Sequence, residues 1–253
     1  MLDRERIVSQ LNNRRYERGL ILSDCDPSTN DRIREMAEHG AAEGCTYIAD
    51  RQTGGRGRRG RVFHSPEGGL YLSTLLRPAA DIDPARITCL AAVAAARAVE
   101  SLCKAKMEIK WVNDLYLNGR KVAGILAEGV LAPEGGLSAV VLGVGINVGR
   151  VDFPEELTAI ATSLGNEGFI LSREDLAAAF LNEWERVYYA ADAAPAMAEY
   201  RRRSLITGRR VTVVRGNETY PATVVTITEK GHLRVRTDEG ERELASGEVS
   251  LRL

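Results

Sequence analysis

The sequence predicts a mixed α/β domain followed by a small all-β domain. Strand-type and helix-type runs alternate as far as Arg203, and from Gly208 onward only short β-type runs remain. A chain of 253 residues with 44% hydrophobic and 27% charged residues has the balance of an ordinary globular protein, with room for one large domain and one small. The expected division is 1–205 and 206–253.

Taken in order, residues 1–19 read as a short polar helix or turn, and Leu20-Ile21-Leu22 starts a strand. Ser28, with Asp31 three residues on, has the pattern of a helix cap, and the helix runs to about His39-Gly40. Thr46 to Ala49 is a short strand feeding a Gly/Arg loop, and Gly69 to Leu76 is another strand, closed by Pro78. Asp83-Pro84 places an N-cap before a proline at the first helical position, opening a helix to about Cys103. A meander follows: Met107 to Val112, then Leu115 to Leu117 and Arg120 to Glu128 about the hairpin turn Asn118-Gly119, then Leu137 to Val148. Ser172 with Asp175 caps a helix to about Tyr189, and a basic helix ends near Arg203. Gly216-Asn217, Lys230-Gly231 and Glu239-Gly240 punctuate the strands of the last segment, the pattern of a small β-barrel.

Bulk chemistry narrows the function. The formal net charge is -1, so no global positive field argues for nucleic acid or anionic membrane. No apolar run approaches the roughly 18–20 residues that span a bilayer, and the charged start Met1-Leu2-Asp3-Arg4-Glu5-Arg6 lacks a secretion signal, so a cytoplasmic protein without membrane partners is expected. Cys25, Cys45, Cys89 and Cys103 show no metal-binding spacing and read as reduced thiols. Three histidines, His39, His64 and His232, supply neither a metal centre nor a paired nucleophile and base.

Three constellations carry chemistry. In Gly55-Arg56-Gly57-Arg58-Arg59-Gly60-Arg61, glycines let backbone N–H groups approach a ligand while guanidiniums offer bidentate bonds to phosphate or carboxylate. Two guanidiniums about 6 Å apart repel by roughly 3 kcal/mol at an effective dielectric near 20, so the loop wants an anion and is expected to be mobile without one. Alone, the same loop reads equally as a solvated or RNA-binding segment; it is neither a P-loop nor a dinucleotide fingerprint. Secondly, Lys121 follows the Asn-Gly turn on an otherwise apolar strand. Pointing inward it needs an anionic partner; pointing outward it is an ordinary edge lysine. Asn113-Asp114 reads as a turn pair or as ligand groups. Thirdly, Ser28-Thr29-Asn30 is a helix cap or a polar site at a helix start, and Gln52 is a surface or ligand-orienting residue.

Together these pieces resemble the catalytic domain of biotin–protein ligases, including the biotin operon repressor type. The resemblance rests on PSTND (27–31), RQTGGRGRRGR (51–61), GGLYLSTLLRP (68–78), IKWVNDLYLNGRKVAGILAE (109–128) and VLGVGINV (141–148), in the family's order, with GEVSLRL (247–253) at the end. It implies a central sheet with helices on one face, related to class II tRNA synthetases, followed by an SH3-like barrel. The implied reaction joins biotin and ATP as biotinyl-5′-AMP, then passes biotin to a lysine of the biotin carboxyl carrier domain of a carboxylase. Mg²⁺ is implied with ATP, and a homodimer pairing sheet edges is plausible. Only about 20 residues precede the first core strand, too few for a winged helix, so no operator DNA binding is expected.

By the same resemblance Ser28, Thr29, Asn30 and Gln52 bind the polar ends of biotin, with Gly124 walling its chain. Gly55 and Gly57 belong to its loop, and Arg56 and Arg58 bracket carboxylate and phosphate. Arg59 and Arg61 hold the nucleotide, Phe63 stacks near adenine, and Asn113 and Asn147 donate hydrogen bonds on the nucleotide side. Lys121 is the catalytic lysine, and Asp114 the nearest carboxylate for Mg²⁺. Three positions depart from the family's usual pattern: Pro27 for an acidic residue, Val112 for the proline of KWPND, and Phe63 for a tryptophan. Lipoate or octanoyl transferases share the superfamily and are the nearest alternative; a nucleic-acid module using the RGRRGR patch is the alternative of another class.

Overall fold

The computed structural model describes residues 2–78, 82–132, 135–215, 218–245 and 248–250. The expected Gly216-Asn217 turn, and all of the 247–253 segment except 248–250, lie outside the described residues. Strands β1 (Leu20–Asp26), β2 (Thr46–Gln52), β3 (Leu70–Leu76), β4 (Glu108–Lys110), β5 (Asp114–Leu117), β6 (Arg120–Leu131) and β7 (Leu137–Ile146) form one sheet in the order β1-β2-β3-β7-β6-β5-β4. β1 and β2 are parallel, joined through helix α2 (Thr29–Glu38), as a parallel pair requires a crossover; every other pair is antiparallel.

Local signals in the sequence explain most boundaries. Asn118 and Gly119 take φ of 50° and 78°, the left-handed pair that a two-residue hairpin needs. Asp83 accepts from the Ala85 amide and Pro84 opens α3 (Pro84–Leu102), while Ser172 caps α5 (Arg173–Tyr188) through the Asp175 amide. Helix α6 (Ala194–Arg202) is the expected basic helix; α1 (Arg4–Val8) and α4 (Glu155–Thr158) are short, and α4 carries no cap signal that foretold it. The strand expected over 107–112 is confined to β4. Residues 111–113 make the turn that brings the chain from Lys110 to its partner Asp114 on β5, and the Trp111 indole N–H there donates to the Gly231 carbonyl at 2.8 Å. Strand β7 ends at Ile146: the Asn147 amide still bonds in register to the Val122 carbonyl of β6 at 2.9 Å, but the Asn147 carbonyl accepts from the Leu164 amide at 2.9 Å.

Side-chain alternation along β7 divides the space. Val140, Leu142, Val144 and Ile146 join the main core with α3 and α5, where Phe180, Leu181 and Trp184 are fully buried. On the other face Ala139 and Val141 pack with Ile33 of α2, Leu75 and Val130 in a second, smaller core. Helices therefore cover both faces of the sheet, where the resemblance implied one. Further along that second face, positions 143 and 145 are glycine, and Asn30 and Phe63 lie against the bare strand there.

The second sheet contains β8 (Arg210–Arg215), β9 (Glu218–Ile227), β10 (Leu233–Thr237), β11 (Gly240–Leu244) and β12 (Glu248–Ser250), antiparallel in the order β11-β10-β9-β8-β12. It is tied to the first at three places. The chain entering it runs parallel to β4, with the Ile109 amide bonded to the Arg203 carbonyl (2.8 Å) and the Leu205 amide to the Ile109 carbonyl (2.9 Å). His232 sits between Asp83 (2.6 Å) and Glu243 (2.8 Å), and the adjoining Gly231 receives the Trp111 indole. Gly231 has φ of 83°, and a Cβ there would lie 2.9 Å from the Ala85 carbonyl group. Both facts demand glycine. Gly231→Ala is expected to lower unfolding free energy by about 2 kcal/mol, read as a lower urea midpoint at unchanged slope.

Candidate active site

The second face of the sheet floors a cavity of about 430 Å³. Its floor is made by leaving side chains out. Gly124 of β6 and Gly145 of β7 are register partners, and the Phe63 ring lies across both: a Cβ at Gly145 would sit 2.6 Å from the ring, one at Gly124 3.1 Å. Tyr71 meets the same ring edge-on at 6.4 Å between centroids. A Cβ at Gly143 would fall 2.1 Å from the Asn30 side-chain oxygen. Glycine is thus required where the helix start meets the sheet.

The polar end of the cavity is built by the start of α2. Ser28, Thr29 and Asn30 are all buried. Ser28 occupies the N-cap position yet its hydroxyl caps nothing; the Thr29 amide instead bonds to Gln52 Oε1 at 2.8 Å. Gln52 donates its other end to Ser65 Oγ at 3.0 Å, so it fixes the geometry of Thr29. Ser73 on β3 hydrogen-bonds to both Thr29 Oγ1 (2.7 Å) and Asn30 Oδ1 (2.6 Å), and Asn30 Nδ2 donates to Glu128 at 2.7 Å. These bonds preset one geometry, and Ser28, Thr29 and Asn30 all line the cavity.

The cavity is also strongly cationic. Arg56, Arg58, Arg59, Arg61, Lys110 and Lys121 line the cavity, and Asp114 is its only carboxylate among the described residues. Lys121 points inward, as the apolar strand pattern allowed, and finds the anion it needs: its ammonium is 2.6 Å from Asp114 Oδ1, an ion pair without hydrogen-bond alignment. The same ammonium lies 5.7 Å from the Phe63 ring centroid and above the Gly124 floor. The lysine backbone is held from outside: its amide donates to the Ile160 carbonyl (2.9 Å), and the Thr162 amide donates to its carbonyl (2.8 Å). Burial pushes the Tyr71 phenol well up and that of Tyr116 up to about 12, so both are hydrogen-bond donors and neither is a base.

The Gly/Arg loop departs from expectation. It is a small hairpin, with an Arg56–Val62 bridge, a 3₁₀ turn over Arg58–Gly60, and the Gly57 amide bonded to the Arg61 carbonyl at 2.7 Å. Its anion is supplied from within. Asp31 of α2, expected only as a cap partner, receives both ends of the Arg56 guanidinium at 2.9 and 2.5 Å and holds it above its ordinary pKa.

Every residue given a binding or catalytic role from the sequence lines this cavity except Gly55, which is packed against Ser65, Phe63 and Gln52. Phe63, assigned by resemblance to adenine, covers the glycine floor beside Lys121. Asn113 and Asn147 each donate to a backbone carbonyl, Ile125 at 3.0 Å and Thr162 at 2.9 Å. Asn147 also has a buried, unpartnered Oδ1, so its side chain brings an acceptor in addition to the N–H that its amide nitrogen keeps. The sequence reading missed Ser73, Lys110, Gly143, Gly145, Ile160 and Val249. Two glycines two apart on a buried strand were a usable signal; nothing local pointed to Val249, which reaches the cavity from β12.

Fold and site together define a strongly cationic pocket on a mixed sheet, with a preset polar wall at one helix start. The chain matches the family model described as biotin/lipoate A/B protein ligase over residues 22–147, and the biotin protein ligase C-terminal domain over 206–252. It is 35% identical to the bifunctional ligase/repressor BirA of Bacillus subtilis across 92% of this chain and 74% of that protein. It is 36% identical to the biotin–[acetyl-CoA-carboxylase] ligase of Mycobacterium tuberculosis across 74% and 71%. The biotin protein ligase from Aquifex aeolicus, solved in complex with biotin and ATP, superposes with a TM-score of 0.79 at 30% identity, over 92% of this chain and 98% of that one. The chain belongs to the biotin/lipoate A/B protein ligase family, and within it to the biotin–protein ligases. Among the described residues no helix is long and apolar enough to cross a membrane.

The glycine at 143 gives a direct check on the cavity. Gly143→Ala forces Asn30 aside, and overpacking of this kind costs roughly 1–3 kcal/mol. Calorimetric titration with biotin should show affinity weakened by about tenfold or more, with the fold retained by circular dichroism.

Proposed function

We propose that this pocket forms biotinyl-5′-AMP from biotin and ATP and transfers biotin to a lysine on a biotin carboxyl carrier domain of a carboxylase. The observation that carries the reading is Lys121: a cation standing on the glycine floor where the apolar trough meets the arginine rim. An apolar chain ending in a carboxylate fits the trough, and a triphosphate fits the rim. Four cysteines held as free thiols suit a reducing cytoplasm. The five antiparallel strands after residue 206 suit an SH3-like barrel as a second domain, with 1–205 as the catalytic one.

The ureido head of biotin lies against Ser28, Thr29 and Asn30, and its chain crosses Gly124 and Gly145 under Phe63. Its carboxylate then meets Lys121, whose charge draws carboxylate and α-phosphate together and offsets their repulsion. A carboxylate oxygen attacks the α-phosphorus and pyrophosphate leaves toward Arg58, Arg59, Arg61 and Lys110. In the second step the acceptor amine attacks the acyl carbon, loses a proton and releases AMP. The Gly/Arg hairpin covers the acyl-phosphate and keeps water from it. Mg²⁺ entering with the triphosphate needs only one or two protein carboxylates, which Asp114 satisfies; it would neutralise phosphate charge there. The Asn147 Oδ1 suits a donor, and the exocyclic amine of adenine is the donor ATP brings.

The test is exchange of labelled pyrophosphate into ATP. Exchange should require biotin; dependence on lipoate would overturn the reading. Lys121→Ala should reduce exchange by about a thousandfold or more while biotin affinity changes far less; a fully active variant removes the lysine from the mechanism. For the base, the native enzyme should prefer ATP to ITP, and Asn147→Ala should narrow that preference by about tenfold in kcat/KM.

A further inference from the structure

The loop's first arginine is occupied before any substrate arrives. Arg56 makes a two-pronged contact with Asp31, a geometry that fixes a guanidinium in orientation as well as position. Glu128 stands behind it at 3.7 Å, itself engaged by Arg34 at 3.3 Å and Asn30 at 2.7 Å. Asp31 lies in the first turn of α2, where a carboxylate is favoured by the helix dipole. The same turn presents Thr29 and Asn30 to the cavity. One helical turn therefore holds both the polar wall of the site and the hasp of its cover.

The hairpin transmits that hold. The Gly57–Arg61 bond (2.7 Å) and the bond from the Phe63 amide to the Gly55 carbonyl (2.9 Å) join its two arms. Anchoring Arg56 thereby anchors Arg58 and Arg61 over the phosphate end and Phe63 over the glycine floor. We infer that Asp31 is a positioning residue of the ligase reaction: by clasping Arg56 it keeps the Gly/Arg hairpin closed over the pocket and prolongs retention of the bound adenylate. Arg56 then acts as the hinge pin of the cover, and contact with the reacting carboxylate and phosphate falls to Arg58 and Lys121.

Both side chains of the pair are partly exposed, 39% for Arg56 and 44% for Asp31, so its loss leaves global stability nearly unchanged and acts on the hairpin. This inference rests on the proposed reaction, and its test separates the two. Hydrogen–deuterium exchange over residues 55–63 is followed in the ligand-free protein, and dissociation of biotinyl-5′-AMP is timed by its escape to free acceptor lysines on albumin. Asp31→Asn should speed exchange across the hairpin and shorten adenylate lifetime by roughly fivefold, at an unchanged urea midpoint. Asp31→Glu should restore both. Native-like exchange and lifetime in Asp31→Asn would overturn the inference, as would restoration by neither carboxylate. If the native enzyme makes no adenylate from biotin and ATP, the reaction assignment fails, and the exchange measurement still decides whether Asp31 holds the hairpin.

Discussion

A β-strand shows alternate residues to opposite faces, and in β7 the two sets have different work. Valine, leucine and isoleucine on one side are locked into the core with α3 and α5. On the other side the strand passes from alanine and valine under α2 to glycine at 143 and 145. Because the register is pinned by the buried set, the glycines cannot slip out of place. Their missing side chains are the space into which Asn30 and Phe63 reach, and every other part of the site is arranged around that gap.

The rim is a second consequence of limited space. Six cationic side chains around one cavity would repel one another strongly in a low dielectric. The structure relieves this with carboxylates placed at particular members of the set: Asp114 at Lys121, Asp31 at Arg56. The remaining positive field is what a triphosphate meets. A carboxylate in such a place both holds its cation in position and weakens the field where an anion must bind, as at Lys121 and Arg56.

Much of the fold was legible because local chemistry and tertiary packing agree. The Asn118-Gly119 turn, the Asp83-Pro84 start of α3 and the Ser172 cap all form as their residues dictate. Disagreements occur where a long-range bond overrides local preference. The Trp111 indole bonds to a carbonyl 120 positions away, and Ser28 sits at a cap position without capping while Gln52 takes the amide of the next residue, Thr29. The site was legible as a set of segments, since the Gly/Arg loop, Lys121 and Ser28-Thr29-Asn30 do converge. Their internal roles were not. Which carbonyl takes the Asn147 amide, which anion holds Arg56, and where Phe63 lies all depend on partners outside their own segments.

The segment between the two sheets has an effect on assembly. By running alongside β4 and bonding to Ile109 on both sides, residues 203–205 occupy the hydrogen-bonding edge that β4 would otherwise present to solvent. An exposed strand edge is an open template for another chain, and natural sheets cap such edges. Here the cap is the connector itself, so linking the two sheets also closes one border of the larger one. Self-association by strand pairing on that sheet has β1 as its remaining border.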